Sequence, residues 1–371
     1  MFMHPFYTAE DRVTAEKTPF VSFLHPEMQK ADRKCLSACT VFMPDETTKF
    51  LHEAAIAEYR GVLYASWYNC PVKELQGYTP ICGKRSTDGG KTWSDLEILC
   101  EDRSGKILYC PPVYAVAEDR LYMFVNQMVA PDHIHSLDLY ILNNETGSFE
   151  LLWSRPVPFK LNTNAVALPN GKLLLPGRVG ELDGFPNTPA VLISDSGRAD
   201  DEWRLVKIAE NGDLADGKKL VHPEISVILA EGKLWMFCRN DESRIPLVYI
   251  SEDMGESWSA VHAHDIPYVN SKIYCGELSD GRHYLVCNTE RFDRSKLMLY
   301  VTEGEKLCFT KELLVFDAAQ KETRGAAEET SYACHYPGCW EYDGKLYIIA
   351  TVSYADNVRG ADLFTVDLRE L

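Results

Sequence analysis

Few residue types in this chain can move a proton or hold a charged group, and the ones that can recur at telling places. Glu74 is the only acid in the segment 69–79, and Glu224 immediately precedes an apolar run that starts at Ile225. A carboxyl group so placed can serve as a general acid or base. Arg178, Arg239 and Arg291 each follow closely on an apolar run. There the planar guanidinium fork is suited to gripping a carboxylate in two bonds. His52, His222 and His335 recur at comparable positions, and histidine is the side chain that changes charge near neutral pH. Tyr336 follows the last of them, and Asn69, Gln127 and Asn164 complete the polar set. The run from Asp132 to His135 has metal-ligand residue types but no third ligand in view. Neither a metal nor another cofactor is therefore expected.

A repeat is what must bring such distant residues together. Six segments share a turn followed by an apolar strand: YRGVLYASW at 59–67, EDRLYMFVN at 118–126, PNGKLLLPGR at 169–178, AEGKLWMFCR at 230–239, SDGRHYLVCN at 279–288 and YDGKLYIIAT at 342–351. Their turns fall at Gly61, Asp119, Gly171, Gly232, Gly281 and Gly344, in steps of 58, 52, 61, 49 and 63 residues. A second apolar run precedes each turn, so each segment predicts a hairpin with a tight turn of positive φ. A third strand follows each hairpin, and often a fourth. Four strands repeated six times predict an all-β, six-bladed β-propeller, in which stacked units bury one another's faces. Two β-sandwiches are the alternative, which the regular step disfavours. Residues 1–34 precede the repeat and are expected to form an arm, with one propeller over 35–371.

Two further segments share a signature. Residues 86–93 read STDGGKTW and residues 251–258 read SEDMGESW, both fitting S-x-D-x-G-x-[ST]-W. A decayed copy starts at Ser194 and ends at Trp203. The expected role is structural. Asp88 and Asp253 would accept backbone N–H bonds inside a turn, and Trp93 and Trp258 would pack between neighbouring sheets.

These copies, in register with the repeat over roughly residues 45–370, resemble the Asp-box (bacterial neuraminidase repeat) of the sialidase superfamily. The resemblance implies a propeller with its Asp-boxes on the outer rim, away from the active site. It also implies a sialidase-like exo-glycoside hydrolase acting on an anionic glycan terminus. Site residues should lie before each unit's first strand and after its second. By resemblance, Tyr336 takes the place of the family's tyrosine nucleophile and Glu224 that of its assisting glutamate. Arg239 matches one of its arginines, and Glu74 stands nearest its acid/base. His52, Arg178, His222, Arg291, His335, Asn69, Gln127 and Asn164 would complete substrate binding. The chain departs from the family where His52 replaces its first arginine. A fifth-unit arginine has no clean counterpart, although Lys272 or Arg291 could stand in. A sialidase-like branch is therefore indicated rather than a true neuraminidase. Two alternatives stay open: a polysaccharide lyase or rhamnosidase-type enzyme using histidine and tyrosine, and a carbohydrate-binding propeller without catalysis.

The chain has 371 residues and a formal charge of −17. That charge argues against general binding of nucleic acid or of an anionic membrane surface; the partner that the resemblance implies is a carbohydrate. With no apolar run of membrane-spanning length, no recognisable signal segment and 12 cysteines, several of them within apolar runs, a cytoplasmic location with reduced thiols is expected.

Overall fold

The structure is a computed structural model that describes residues 16–131, 133–179, 188–208, 220–241, 245–267, 270–290, 293–320 and 332–371. It is all-β, and helix among the described residues is confined to short turns. Three strands come first: β1 (Phe20–Val21), β2 (Leu24–Lys30) and β3 (Leu36–Phe42). The first repeat unit supplies β4 (Phe50–Tyr59), β5 (Val62–Cys70), β6 (Ile81–Ser86) and β7 (Glu97–Cys100). The second supplies β8 (Leu108–Ala117), β9 (Arg120–Ala130), β10 (His133–Leu142) and β11 (Phe149–Arg155). In the third, β12 (Phe159–Leu161) and β13 (Val166–Ala167) precede β14 (Leu173–Val179), β15 (Thr188–Ser194) and β16 (Arg204–Lys207). The fourth holds β17 (Ile225–Ala230), β18 (Lys233–Cys238), β19 (Leu247–Ser251) and β20 (His262–His264). The fifth holds β21 (Tyr274–Glu277), β22 (His283–Asn288), β23 (Lys296–Thr302) and β24 (Phe309–Asp317). The sixth holds β25 (Ala333–Tyr342), β26 (Lys345–Ala355) and β27 (Val358–Asp367).

Within each unit the strands form an antiparallel meander, as the sequence pattern requires. The hairpin turns explain themselves. Arg60 and Gly61, Glu118 and Asp119, Glu231 and Gly232, and Asp343 and Gly344 all have positive φ at consecutive residues. That is the primed turn whose twist suits a two-residue hairpin. The third unit differs from expectation, because its first strand is split. β12 and β13 pair with opposite ends of β14 and leave Asn162–Ala165 between them.

The units form five hydrogen-bonded sheets. The eight-stranded sheet joins β25–β27 to β4–β7 through a single parallel pair, Arg359 with Phe50. The leading strands reinforce the outside: β1 lies parallel to β20, β2 lies parallel to β24, and β3 pairs with β27. The first strands pack in cyclic order. β4 meets β8, β8 meets β12, β14 meets β17, β17 meets β21, β21 meets β25, and β25 returns to β4. Apolar clusters fill the spaces between neighbouring units. One of them joins Leu63 and Trp67 of the first unit to Tyr347 and Leu363 of the sixth.

Side chains near the axis staple one unit to the next. Asn164 accepts from Tyr114 N (2.8 Å) and donates to Ile56 O (3.0 Å). Asn126 donates to Phe159 O and accepts from Leu161 N, both at 2.8 Å. Asn162 accepts from Ile225 N at 3.0 Å, and Asn288 donates to Cys334 O at 2.7 Å. Each bond satisfies a buried backbone group that sheet pairing leaves open. All twelve cysteines are free thiols, most of them buried.

Candidate functional site

A cavity of about 530 Å³ opens on the face where the first strands begin and the second strands end. β4 contributes His52 and Glu53, and the loop after β5 contributes Glu74 and Leu75. Pro131 follows β9, Lys160 lies on β12 and Arg178 on β14. His222 and Glu224 precede β17, and Arg239 follows β18. Arg294 precedes β23, Tyr336 lies on β25 and Arg359 near the start of β27. Five cations and three carboxylates thus line one opening in a strongly acidic protein.

Tyr336 is aimed inward by its backbone. β25 is bulged between His335 and Gly338, and Tyr336 has φ 55°. A bulge re-aims a side chain in this way, and a left-handed φ at a non-glycine residue is a strain that surrounding structure must sustain.

Arg239 organises the centre. Its Nη1 donates to Glu224 Oε2 (2.6 Å) and to the Tyr336 hydroxyl oxygen (2.7 Å). Its Nε and Nη2 donate to Asp241 Oδ1 (2.7 Å) and Oδ2 (2.8 Å). Four of its five N–H bonds are therefore spent inside the protein. Burial opposes the charge on Glu224, but Arg239, Arg178 and Lys272 outweigh it and hold the carboxyl below its ordinary range, at about 2. Burial, reinforced by Glu224, pushes the Tyr336 phenol well above its usual value against the pull of Arg239 and Arg294. The site therefore rests with a protonated phenol beside an ionised glutamate. Because the hydroxyl oxygen accepts from Arg239, its own proton remains available to another acceptor.

The histidines divide into two kinds. His52 packs against Tyr336 with ring centroids 4.1 Å apart and shares a hydrogen bond with Thr351 Oγ1 at 3.2 Å. His335 lies between Arg294, 3.4 Å from its Nδ1, and Ser353 Oγ, 3.1 Å from its Nε2. Burial first, and then neighbouring cations, push both well below the ordinary imidazole value. Both are neutral: His52 is part of the cavity wall and His335 supports it from behind. His222 is different: it sits at the mouth with Nδ1 3.0 Å from Asp241 Oδ2 and its side chain half exposed.

Glu74 accepts a hydrogen bond from the buried Tyr68 hydroxyl at 3.1 Å. Arg294 donates to Asn270 O at 2.7 Å and lies 5.1 Å from the Tyr336 ring centroid. Arg359 lies 4.3 Å from the Phe50 ring centroid, and its buried Nε has no partner. Burial draws its pKa below the usual guanidinium value. Among the described residues neither Arg294 nor Arg359 is paired with a carboxylate. They present guanidinium groups that no carboxylate among the described residues holds in an ion pair, although Glu74 acts on Arg359 from a distance.

Of the residues nominated from sequence, Glu74, Glu224, Tyr336, Arg239, His52, Arg178 and His222 line the cavity, and His335 stands behind it. Asn69, Gln127 and Asn164 do not line it. Asn164 is an inter-unit staple, Gln127 donates to buried Asp138, and Asn69 is buried in β5. Arg291 lies outside the described residues. Arg294, Arg359, Lys160 and Asp241 were not nominated. Arg294 follows the expected rim segment by a few residues, and Arg359 comes from a third strand, where the rim rule did not look.

The two segments that resemble Asp-boxes sit at the other ends of the strands. β6 runs from the Glu74 loop to Ser86, which places the turn 86–93 away from the cavity. Asp88 accepts from Ser86 Oγ (2.8 Å), Lys91 N (3.0 Å) and Thr92 N (3.0 Å), and Asp253 accepts from Ser251 Oγ (2.8 Å) and Ser257 N (2.9 Å). Trp93 packs on the cluster joining the first and sixth units, and Trp258 on the one joining the third and fourth. Among the described residues no cluster of three or more His, Cys, Asp or Glu is arranged to hold a metal ion, and no helix is long and apolar enough to cross a membrane. Asp132 lies outside the described residues.

Residues 61–348 match the family described as BNR repeat-like domain. No curated protein matches the chain by sequence. Several solved structures share its fold. A protein of unknown function from Dyadobacter fermentans superposes with a TM-score of 0.68 at 12% identity, covering 90% of this chain and 99% of that one. Trypanosoma rangeli sialidase with 2,3-difluorosialic acid, described as a covalent intermediate, superposes with a TM-score of 0.65 at 17% identity over 90% of this chain. This chain spans 59% of the trypanosomal protein's length. The NanB sialidase of Streptococcus pneumoniae superposes with a TM-score of 0.66 at 12% identity, covering 89% of this chain and 70% of that one. At these identities the likeness is one of fold.

Proposed function

The chain belongs to the BNR repeat-like domain family, and from that premise we propose that it is a sialidase-like exo-glycoside hydrolase acting on an anionic glycan terminus. The observation that carries this reading is the Tyr336–Arg239–Glu224 linkage at the base of a cation-rich cavity. Tyr336 oxygen attacks the anomeric carbon as the glycosidic C–O bond breaks. The phenolic proton passes to Glu224, and Glu74, as general acid, gives a proton to the leaving oxygen. Water then attacks the glycosyl–tyrosine bond with Glu74 taking its proton, and Tyr336 departs with the proton returned by Glu224. A neutral phenol suits this task, because an anionic sugar would repel a carboxylate nucleophile. Arg294 and Arg359 hold the sugar's acidic group, while Arg239 holds the catalytic pair.

Counting the eight-stranded sheet as two blades supports a six-bladed arrangement, with residues 16–34, the described part of the expected arm, strapped to the outside. The test of function is release of free sugar from aryl glycosides of acidic sugars. Turnover by the wild type that Tyr336→Phe abolishes supports the reading, and no turnover of any acidic glycoside by the folded protein sinks it. One observation favours a lyase instead: the His222–Asp241 pair at the mouth leaves Nε2 of the ring to exchange a proton. An unsaturated, ultraviolet-absorbing product formed without uptake of water would establish that alternative.

A further inference from the structure

Glu53 takes no part in these steps, yet it is built into the cavity in the same manner as Tyr336. Each follows a histidine, His52 in one case and His335 in the other. Each sits at a bulge in the first strand of its unit, with φ 49° and 55°. Both line the cavity, and their strands pack against each other. A left-handed conformation at a non-glycine residue is strained, and such residues gather where ligands are held. Glu53 is thus the first unit's counterpart of the tyrosine in the sixth.

Its counter-ion is Lys272, with Nζ 3.0 Å from Glu53 Oε2 and side-chain exposures of 7% and 4%. The ammonium lies 6.0 Å from the Tyr336 ring centroid. A buried ion pair is a poor source of stability, since desolvation of both charges cancels most of their attraction. Among the described residues the remaining oxygen, Oε1, receives only the Cys110 thiol at 3.8 Å, and a thiol is a weak donor. A carboxylate so thinly served at one oxygen, in a residue that lines the cavity beside Tyr336, can take one more strong donor. A sugar hydroxyl is such a donor.

We propose that Glu53, held by Lys272, accepts a hydrogen bond from a hydroxyl on the ring carbon next to the anomeric carbon. The subsite selects acidic sugars of the uronic acid class, which carry that hydroxyl, over 2-keto-3-deoxy acids, which have a methylene there. This rests on the hydrolase reading for the atom that Tyr336 faces. Because β4 adjoins β25, a residue aimed inward from it reaches the ring atom beside the one under attack. A sugar without the hydroxyl leaves Oε1 unpaired, which is how a polar site rejects an analogue.

Binding of free sugar acids tests the subsite without turnover. Affinities of D-glucuronic and D-galacturonic acid and of their 2-deoxy counterparts are measured by titration calorimetry on the wild type, Glu53→Ala and the double variant Glu53→Met/Lys272→Met. The double variant removes both charges, so it keeps the fold where Glu53→Ala strands a buried lysine. The wild type is expected to bind at least one hydroxylated acid about tenfold or more tightly than its deoxy form. In the double variant the two should agree within about twofold, with melting preserved. Equal binding of both forms by the wild type overturns the proposal. So does discrimination that survives in the double variant, or binding of none of the four acids. Failure of the hydrolase reading looks different: the discrimination is present, but the aryl glycosides stay intact.

Discussion

Arg239 and Arg359 both face the cavity, but their surroundings assign them different work. Arg239 is held by Glu224, Asp241 and Tyr336, so Arg239→Met strips buried Glu224 and partly buried Asp241 of the cation that bonds them directly. It should lower stability by about 3–5 kcal/mol in urea unfolding and abolish activity. Arg359 has no carboxylate partner among the described residues. Arg359→Met should therefore raise the melting temperature while raising KM for an anionic glycoside by about 10- to 100-fold, the worth of a charge-assisted bond. Tyr336→Phe should cut kcat by at least about 10³-fold with sugar binding retained, measured by single-turnover kinetics alongside calorimetry. Residue types near the rim were legible in the sequence, because each unit's first and second strands can be read from the hairpin pattern. What escaped was direction. Asn164 occupies a rim position but turns to Tyr114 and Ile56. Arg359 occupies no rim position, yet the pairing of β27 with β4 brings it in. A strand pattern gives alternation, and only packing decides which neighbour a side chain meets.

At the level of elements, the units hold together by specific devices as well as by apolar packing. Asn164→Ala would orphan Tyr114 N and Ile56 O at once, at a cost of about 1–3 kcal/mol for each buried group left unsatisfied. A fall in melting temperature, with cavity binding weakened only in proportion to unfolding, is the expected result. Gly90 makes a second test. It has φ 84°, and a Cβ added there would collide with Leu363 of the sixth unit. Gly90→Ala should thus destabilise more than Asp88→Ala, which removes hydrogen bonds confined to one exposed turn. The hairpins were the most legible elements, since their turn residues carry the φ that the primed turns demand. The split between β12 and β13 was not legible. It follows from Asn162 and Asn164 bonding to neighbouring units, a choice that no local propensity records.

Across the whole molecule, burial of neutral histidines sets the response to acid. His52 and His335 lie well below the unfolded value of about 6.5, and His264 lies at about 3. A depressed folded pKa means that the unfolded chain binds the proton more readily. Stability is therefore full above pH 6.5 and falls as pH drops, by up to about 1.4 kcal/mol per pH unit for each such histidine. Glu224, held near 2 against an ordinary 4.5, opens a second window of loss at lower pH. Urea midpoints measured from pH 7.5 to 4 should hold down to about pH 6.5 and decline below it, and a flat profile between 6.5 and 5 would contradict the neutral assignment.

The pairing of β3 with β27 has a bearing on how the molecule is made. Leu36–Phe42 are made more than three hundred residues before Ala361–Val366, the segment they bind. Bringing such distant segments together costs roughly 5 kcal/mol of loop-closure entropy, which no intermediate length of chain can recover. Until then β3 is an open edge, a template for the wrong strand and a natural target for chaperones. A chain stopped at residue 357 lacks both the strand that covers this edge and Arg359. Translation to the last strand thus completes the scaffold and the cavity together, and a truncated product is left visibly unfinished to the cell's quality control.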